Sequence, residues 1–144
     1  MQPVIPLTGS DVAGPLGVVH LPRLWQKLSL EAAGKLAAGY PGCGKGYDAM
    51  TLTALGLDEE ATKAYILGSK PTYPQFEAWV KQNAKSLTPD SVAKHNAAVA
   101  GYIHDDATRQ SILSANGISG DQPKDAVNLN NLDDWYEFHQ AALK

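Results

Sequence analysis

Cysteine is nearly absent: Cys43 is the one thiol in the chain. A lone thiol excludes an internal disulfide and any zinc site built from several cysteines. Long apolar runs are missing too, since no stretch approaches the roughly 20 residues that a membrane helix needs. The opening, Met1-Gln2-Pro3-Val4-Ile5-Pro6, has neither the basic start nor the apolar run of a signal peptide. A reduced cytoplasm is therefore the expected compartment, with no membrane as partner. Positive charge is also in short supply, with 12 Lys and Arg against 15 Asp and Glu, a net of −3 at pH 7. Such a chain offers no field for a phosphate backbone, and nucleic acid is excluded as a partner.

What is present fits a globular protein. Its 144 residues match the commonest single-domain size, and 44% hydrophobic content with 19% charged residues is far from the composition of a disordered chain. Residues 1–104 hold nine basic and eight acidic side chains, whereas residues 105–144 hold three and seven. The acidic C-terminal third reads either as an interaction surface or as charge collected at helix starts, where it offsets the macrodipole.

Residues 1–20 are broken by Pro3, Pro6, Gly9, Gly14, Pro15 and Gly17, and predict an extended arm packed on the body, able to add a short strand. Leu21, Leu24, Trp25, Leu28, Ala32 and Leu36 share one face of a first helix from about 22 to about 39. Arg23, Lys27, Glu31 and Lys35 form its solvated stripe. Asp48 is placed to cap a second helix, Asp58-Glu59-Glu60 opens a third, and Thr72-Tyr73-Pro74-Gln75 has the spacing of a capping box for a fourth. Thr88-Pro89 starts a fifth and Asp105 or Asp106 a sixth that ends at Asn116-Gly117. Asn130 or Asn131 caps a seventh. Trp25, Trp79 and Trp135 each fall on an apolar side and are expected in the core. No strand alternation, repeat or linker appears. The reading is all-α: one irregular bundle of six or seven helices spanning 1–144.

Gly14-Pro15-Leu16-Gly17 leading to His20-Leu21-Pro22-Arg23-Leu24 resembles the opening of a bacterial family, domain of unknown function 5069. Tyr102-Ile103-His104-Asp105-Asp106-Ala107-Thr108-Arg109 and Asp125-Ala126-Val127-Asn128-Leu129-Asn130-Asn131-Leu132-Asp133-Asp134-Trp135 resemble its longer members. The resemblance runs from about residue 14 to the end. It implies a small bacterial helical protein and carries over no activity and no catalytic residue.

Several places could bear function. Gly39-Tyr40-Pro41-Gly42-Cys43-Gly44-Lys45 satisfies the first seven positions of a phosphate-binding loop, but Gly46 stands where a magnesium-binding hydroxyl is required. The loop also follows a helix rather than a strand, which excludes a nucleotide hydrolase. A small-anion nest beside Lys45 stays open against a plain connector. Cys43, near Lys45 and a helix start, is placed for thiolate character. His20 and Arg23 open the first helix, where amides and guanidinium could receive an anion. His104, Asp105 and Asp106 form either a polar site or a cap paired with Arg109. No helical histidine pair at i+3 or i+4 supports a metal, and neither metal nor cofactor is expected. His95, between Val92 and Val99, reads as a satisfied, partly buried histidine.

The candidate ligand-binding set is thus His20, Arg23, Cys43, Lys45, His104, Asp105 and Asp106, with His104 expected near Arg23 and an acidic partner for Arg23 in Asp105 or Asp106. The favoured function is a small cytoplasmic binding or interaction module, its partner a protein or a small polar or anionic ligand. The alternative is a small-molecule enzyme whose polar cleft lies between helix ends and glycine-rich loops. Oligomeric state is not legible.

Overall fold

A computed structural model describes residues 3–144; Met1 and Gln2, the first residues of the expected arm, lie outside it. Seven α-helices follow in order: α1 (Leu21–Ala32), α2 (Tyr47–Leu55), α3 (Glu59–Ser69), α4 (Tyr73–Asn83), α5 (Pro89–Gly101), α6 (Asp106–Ala115) and α7 (Ala126–Phe138). A single π turn over His139–Leu143 extends α7. The described residues contain no sheet. The strand expected of the arm is reduced to isolated bridges, Val4 with Leu36 and Ala13 with Val19, and a third joins Ile103 to Asp125. The all-α bundle with an extended arm is the architecture that the sequence predicts.

Local chemistry explains most boundaries. Thr72 and Gln75 form the expected capping box of α4, and Thr88 with Ser91 forms another at α5. Asp58 and Asp105 cap α3 and α6 by accepting from Ala61 and Thr108 N–H groups. Three expected boundaries are corrected. Helix α1 stops at Ala32, short of about 39, because Gly34 adopts φ 70°. Gly34 and Lys35 then donate back to the carbonyls of Glu31 and Leu30, a Schellman ending. Helix α2 begins at Tyr47 with Gly46 as its N-cap and no side-chain cap, since Asp48 turns inward instead. Helix α7 begins at Ala126, where the Asp125 carboxylate accepts from the Asn128 amide, well before Asn130.

The main core gathers Val18 with Leu21, Leu24 and Leu28 of α1, Leu52 and Leu55 of α2, Ile66 of α3, and Phe76 and Val80 of α4. A smaller cluster of Tyr47, Val99 and Ala126 joins α2, α5 and α7. Helix α1 therefore lies under α2, α3 and α4, while α2 packs along α5 and α5 and α6 lean on α7. Trp25 and Trp79 pack against this core half-buried, but Trp135 does not: it is 63% exposed beside Leu7 and Phe138 at the edge shared by the arm and α7. The apolar stripe of α7 that should bury it instead buries Ala126 and Leu129.

Candidate functional site

Two buried polar clusters start from α1. His20, just before the helix, sits at φ 71°, a backbone conformation rare for a residue with a side chain. Its ring is held at both nitrogens: Nε2 lies 2.6 Å from Asp48 Oδ1 and Nδ1 lies 3.0 Å from Ser10 Oγ. Burial holds His20 below its ordinary pKa against the pull of Asp48, so the ring is neutral. An ionised carboxylate only accepts, hence Nε2 donates to Asp48 and Nδ1 accepts from the Ser10 hydroxyl. Burial alone would raise Asp48. Its bonds from His20, Lys27 and the Gly44 N–H outweigh that and hold it below the usual carboxylate range. Lys27 Nζ donates to Asp48 Oδ2 at 2.5 Å and Gly44 N at 2.8 Å. The result is one ammonium, one carboxylate and a neutral imidazole, all buried and mutually satisfied.

One turn later, Arg23 grips Asp134 of α7 with both terminal nitrogens, at 2.6 and 3.1 Å, and also donates to Thr8 O. Tyr40 donates to the same carboxylate at 2.8 Å. Arg23 and Lys27 are thus not on a solvated stripe, and Arg23 pairs with neither Asp105 nor Asp106. The serine–histidine–aspartate order of the first cluster resembles a hydrolytic triad, yet Ser10 is 0% exposed and offers no nucleophile to a substrate.

The glycine loop binds carboxylates of its own chain. Gly42 N–H donates to Glu31 Oε2 and Gly44 N–H to Asp48 Oδ2, which fills the nest that an external anion would need. Cys43 is half-buried against the main core, and burial with the nearby Asp48 and Glu59 carboxylates pushes its thiol up to about 12. Thiolate character is therefore corrected to a protonated thiol. His104 bonds to Asn130 Oδ1 at 3.0 Å, Asp105 caps α6, and Asp106 pairs with Arg109. Asp133 is lifted above the usual carboxylate range by burial and by the neighbouring Asp134 and Glu137 carboxylates, which outweigh the opposing pull of Arg23 and His104. Among the described residues, no three His, Cys, Asp or Glu side chains converge as a metal requires.

Of the seven candidates, Lys45 borders a roomy concavity. A groove of about 550 Å³ opens between α2 and α5. Met50, Ala49, Ala54, Ala98 and Tyr102 give it apolar walls; alanines on both helices leave the space. Lys45 and Lys94 are its charged residues, and no carboxylate lines it. Lys94 is pinned only by an exposed pair with Asp90 at 3.1 Å, a contact of small energy. His95, only 3% exposed, is set into the groove wall. Its Nε2 lies 3.0 Å from Val19 O and 3.4 Å from Thr51 Oγ1. A carbonyl only accepts, so Nε2 carries the hydrogen, and burial holds the ring below its ordinary pKa and neutral. Nδ1 is then a lone-pair acceptor, and it has no partner. Tyr47 ties the groove to the first buried cluster, its ring 5.3 Å from His20 and 5.4 Å from Tyr102.

Residues 9–137 match the family model described as Domain of unknown function (DUF5069). The chain belongs to the DUF5069 family. No curated protein matches it. In this DUF5069 domain the resemblance motifs divide between interior and surface, with Tyr102, Ile103, Asp105, Asp106 and Trp135 exposed. His20 and Arg23 of the His-Leu-Pro-Arg segment and Asp134 near the end are buried partners of the two clusters. Sequence reasoning missed Asp48, Lys27 and Asp134 as partners, because nothing local links positions 20, 27, 48 and 134. It also missed the groove. The signal that existed was modest: His95 and Lys94 follow the capping box of α5, and the small residues Ala49, Ala54 and Ala98 recur on two helices destined to pack.

Proposed function

We propose that this DUF5069 domain is a non-catalytic binding module that takes up a small molecule in the groove between α2 and α5. One observation carries the reading: the groove's size, about 550 Å³, with apolar walls and a few polar groups at its border. Such concavities of about 300–1,000 Å³ are where small ligands are received. The side chains that a catalytic reading would enlist, His20, Asp48 and Ser10, are instead buried and occupied with one another. A reduced bacterial cytoplasm is the setting we infer, on the lone cysteine and the family resemblance; among the described residues no helix is long and apolar enough to cross a membrane.

The test is a fragment screen followed by the amide spectrum of isotopically labelled protein. Shifts are expected to gather at residues 45–54 and 91–102. An Ala98→Trp variant, which fills the groove from an exposed position, should abolish them and keep the rest of the spectrum. Fragments that shift other regions alone, or that shift the groove equally well in Ala98→Trp, would refute the module.

A further inference from the structure

Four large apolar side chains that the bundle leaves exposed, Leu7, Val12, Trp135 and Phe138, belong to the arm and to α7. Leu7, Trp135 and Phe138 line one hollow of about 290 Å³ between those two elements. A domain seldom leaves large apolar side chains exposed together unless something covers them. Asp11 borders that hollow and also lines a second, of about 330 Å³, walled by Val19, Val99, Ala100 and Val127. The two hollows therefore meet at one exposed carboxylate. The arm is pinned on both sides of it. Ser10, fully buried, bonds to the His20 ring, and the Val12 carbonyl accepts the His20 N–H at 3.1 Å.

The charge of Asp11 has no answer among the described residues. No Lys or Arg lines either hollow, and Asp11 makes no ion pair. Asp134 borders the first hollow, but Arg23 meets its charge; Asp125 borders the second and is met by neutral Asn128 donors. Gly9 brings a further acceptor to the same point. A Cβ there would lie 2.7 Å from Asn131 Oδ1 and 2.8 Å from Asp11 Oδ1, so the missing side chain lets two acceptor oxygens crowd one spot.

We propose that this face docks a segment of another protein in which a Lys or Arg stands between two apolar residues. The apolar pair fills the two hollows, and the cation between them reaches Asp11 and Asn131 Oδ1. Charge complementarity selects this occupant. A second copy of the chain, itself of net −3, would set its own Asp11 against this one across a two-fold contact. An anionic lipid surface would meet the same carboxylate, backed by residues 105–144 with three basic and seven acidic side chains. The ion pair stays exposed and supplies selectivity more than strength, whereas Trp135 is the apolar anchor that dominates such contacts. No residue lines both this face and the α2–α5 groove, so the two readings stand or fall separately.

The experiment uses capped peptides Ala-X-Ala-Z-Ala-X-Ala, with X as Leu, Phe or Trp and Z as Arg, citrulline or Glu. They are titrated into the labelled full chain and followed at residues 5–12 and 125–138. Arg peptides should bind about fivefold tighter than citrulline peptides, the worth of one exposed ion pair, and Glu peptides more weakly still. Asp11→Asn should erase the preference for Arg and leave citrulline affinity unchanged. Trp135→Ala, also at an exposed position, should weaken every peptide about tenfold. Equal binding of Arg and citrulline peptides overturns the role of the cation. No shift at about 1 mM peptide, or unchanged affinity in Trp135→Ala, overturns the docking surface. So does a dimer in sedimentation that Trp135→Ala dissolves, which makes a second copy the occupant. Flotation with phosphatidylglycerol vesicles that Trp135→Ala abolishes overturns it in favour of a lipid surface.

Discussion

Asp48 is the residue on which the interior turns, because it holds a neutral histidine with one oxygen and a buried ammonium with the other. Asp48→Asn keeps the shape but strands Lys27, and should cost about 3–5 kcal/mol in urea unfolding. Adding Lys27→Met to that variant should restore much of the loss, and a double-mutant cycle over both positions should show strong coupling. Acid acts on the same interior through His20 and His95, both held neutral below their ordinary pKa by burial. The unfolded chain takes up protons near pH 6.5 that the folded chain refuses. Stability is therefore full above about pH 6.5 and falls below it, by up to about 1.4 kcal/mol per pH unit for each histidine. Melting temperature read from pH 8 to pH 5 should show that decline, and His95→Gln should make it shallower. A flat profile would mean that both rings take up protons in the folded state as readily as in the unfolded one. None of this could be read at the residue scale from sequence. Lys27 and Arg23 fall at i+4 on a helix, where exposed ion-pair stripes are the ordinary arrangement, and their true partners lie 21 and 111 positions away.

Helix ends are where the sequence was most legible, since caps act over three residues. Thr72 with Gln75, Thr88, Asp58 and Asp105 all do what their spacing predicts. The failures share a cause: a tertiary demand outbid the local cue. Asp48 is a good cap by type, but the buried cluster claims its carboxylate; Asn130 is another, but its carbonyl faces His104 while Asp125 starts the helix earlier. Asp125→Ala should remove the true cap of α7 and cost about 1 kcal/mol, seen as a lower thermal midpoint, whereas Asn131→Ala should not act through capping. Gly34 tests the other kind of boundary. A Cβ there meets nothing, so Gly34→Ala carries only the cost of its φ of 70°, about 1–2 kcal/mol.

For the molecule as a whole, the groove between α2 and α5 was hidden because it exists only after α2 meets α5, whereas the bundle itself follows from helices that announce themselves. The Arg23–Asp134 grip acts at this largest scale: it joins arm, α1, the loop at Tyr40 and α7 in one knot. Arg23→Met leaves a buried carboxylate without its cation and should lower the urea midpoint by the equivalent of about 3–5 kcal/mol. The partition of that loss between rates is the informative part. Helical bundles fold fast because their contacts are local, yet this contact closes a loop of 111 residues, among the last that a folding chain can afford to order. A contact absent from the transition state moves the unfolding rate and spares the folding rate. Stopped-flow chevrons of Arg23→Met should therefore share the refolding limb of the parent and differ in the unfolding limb. The knot decides how long a folded molecule lasts, and has little say in how quickly one forms.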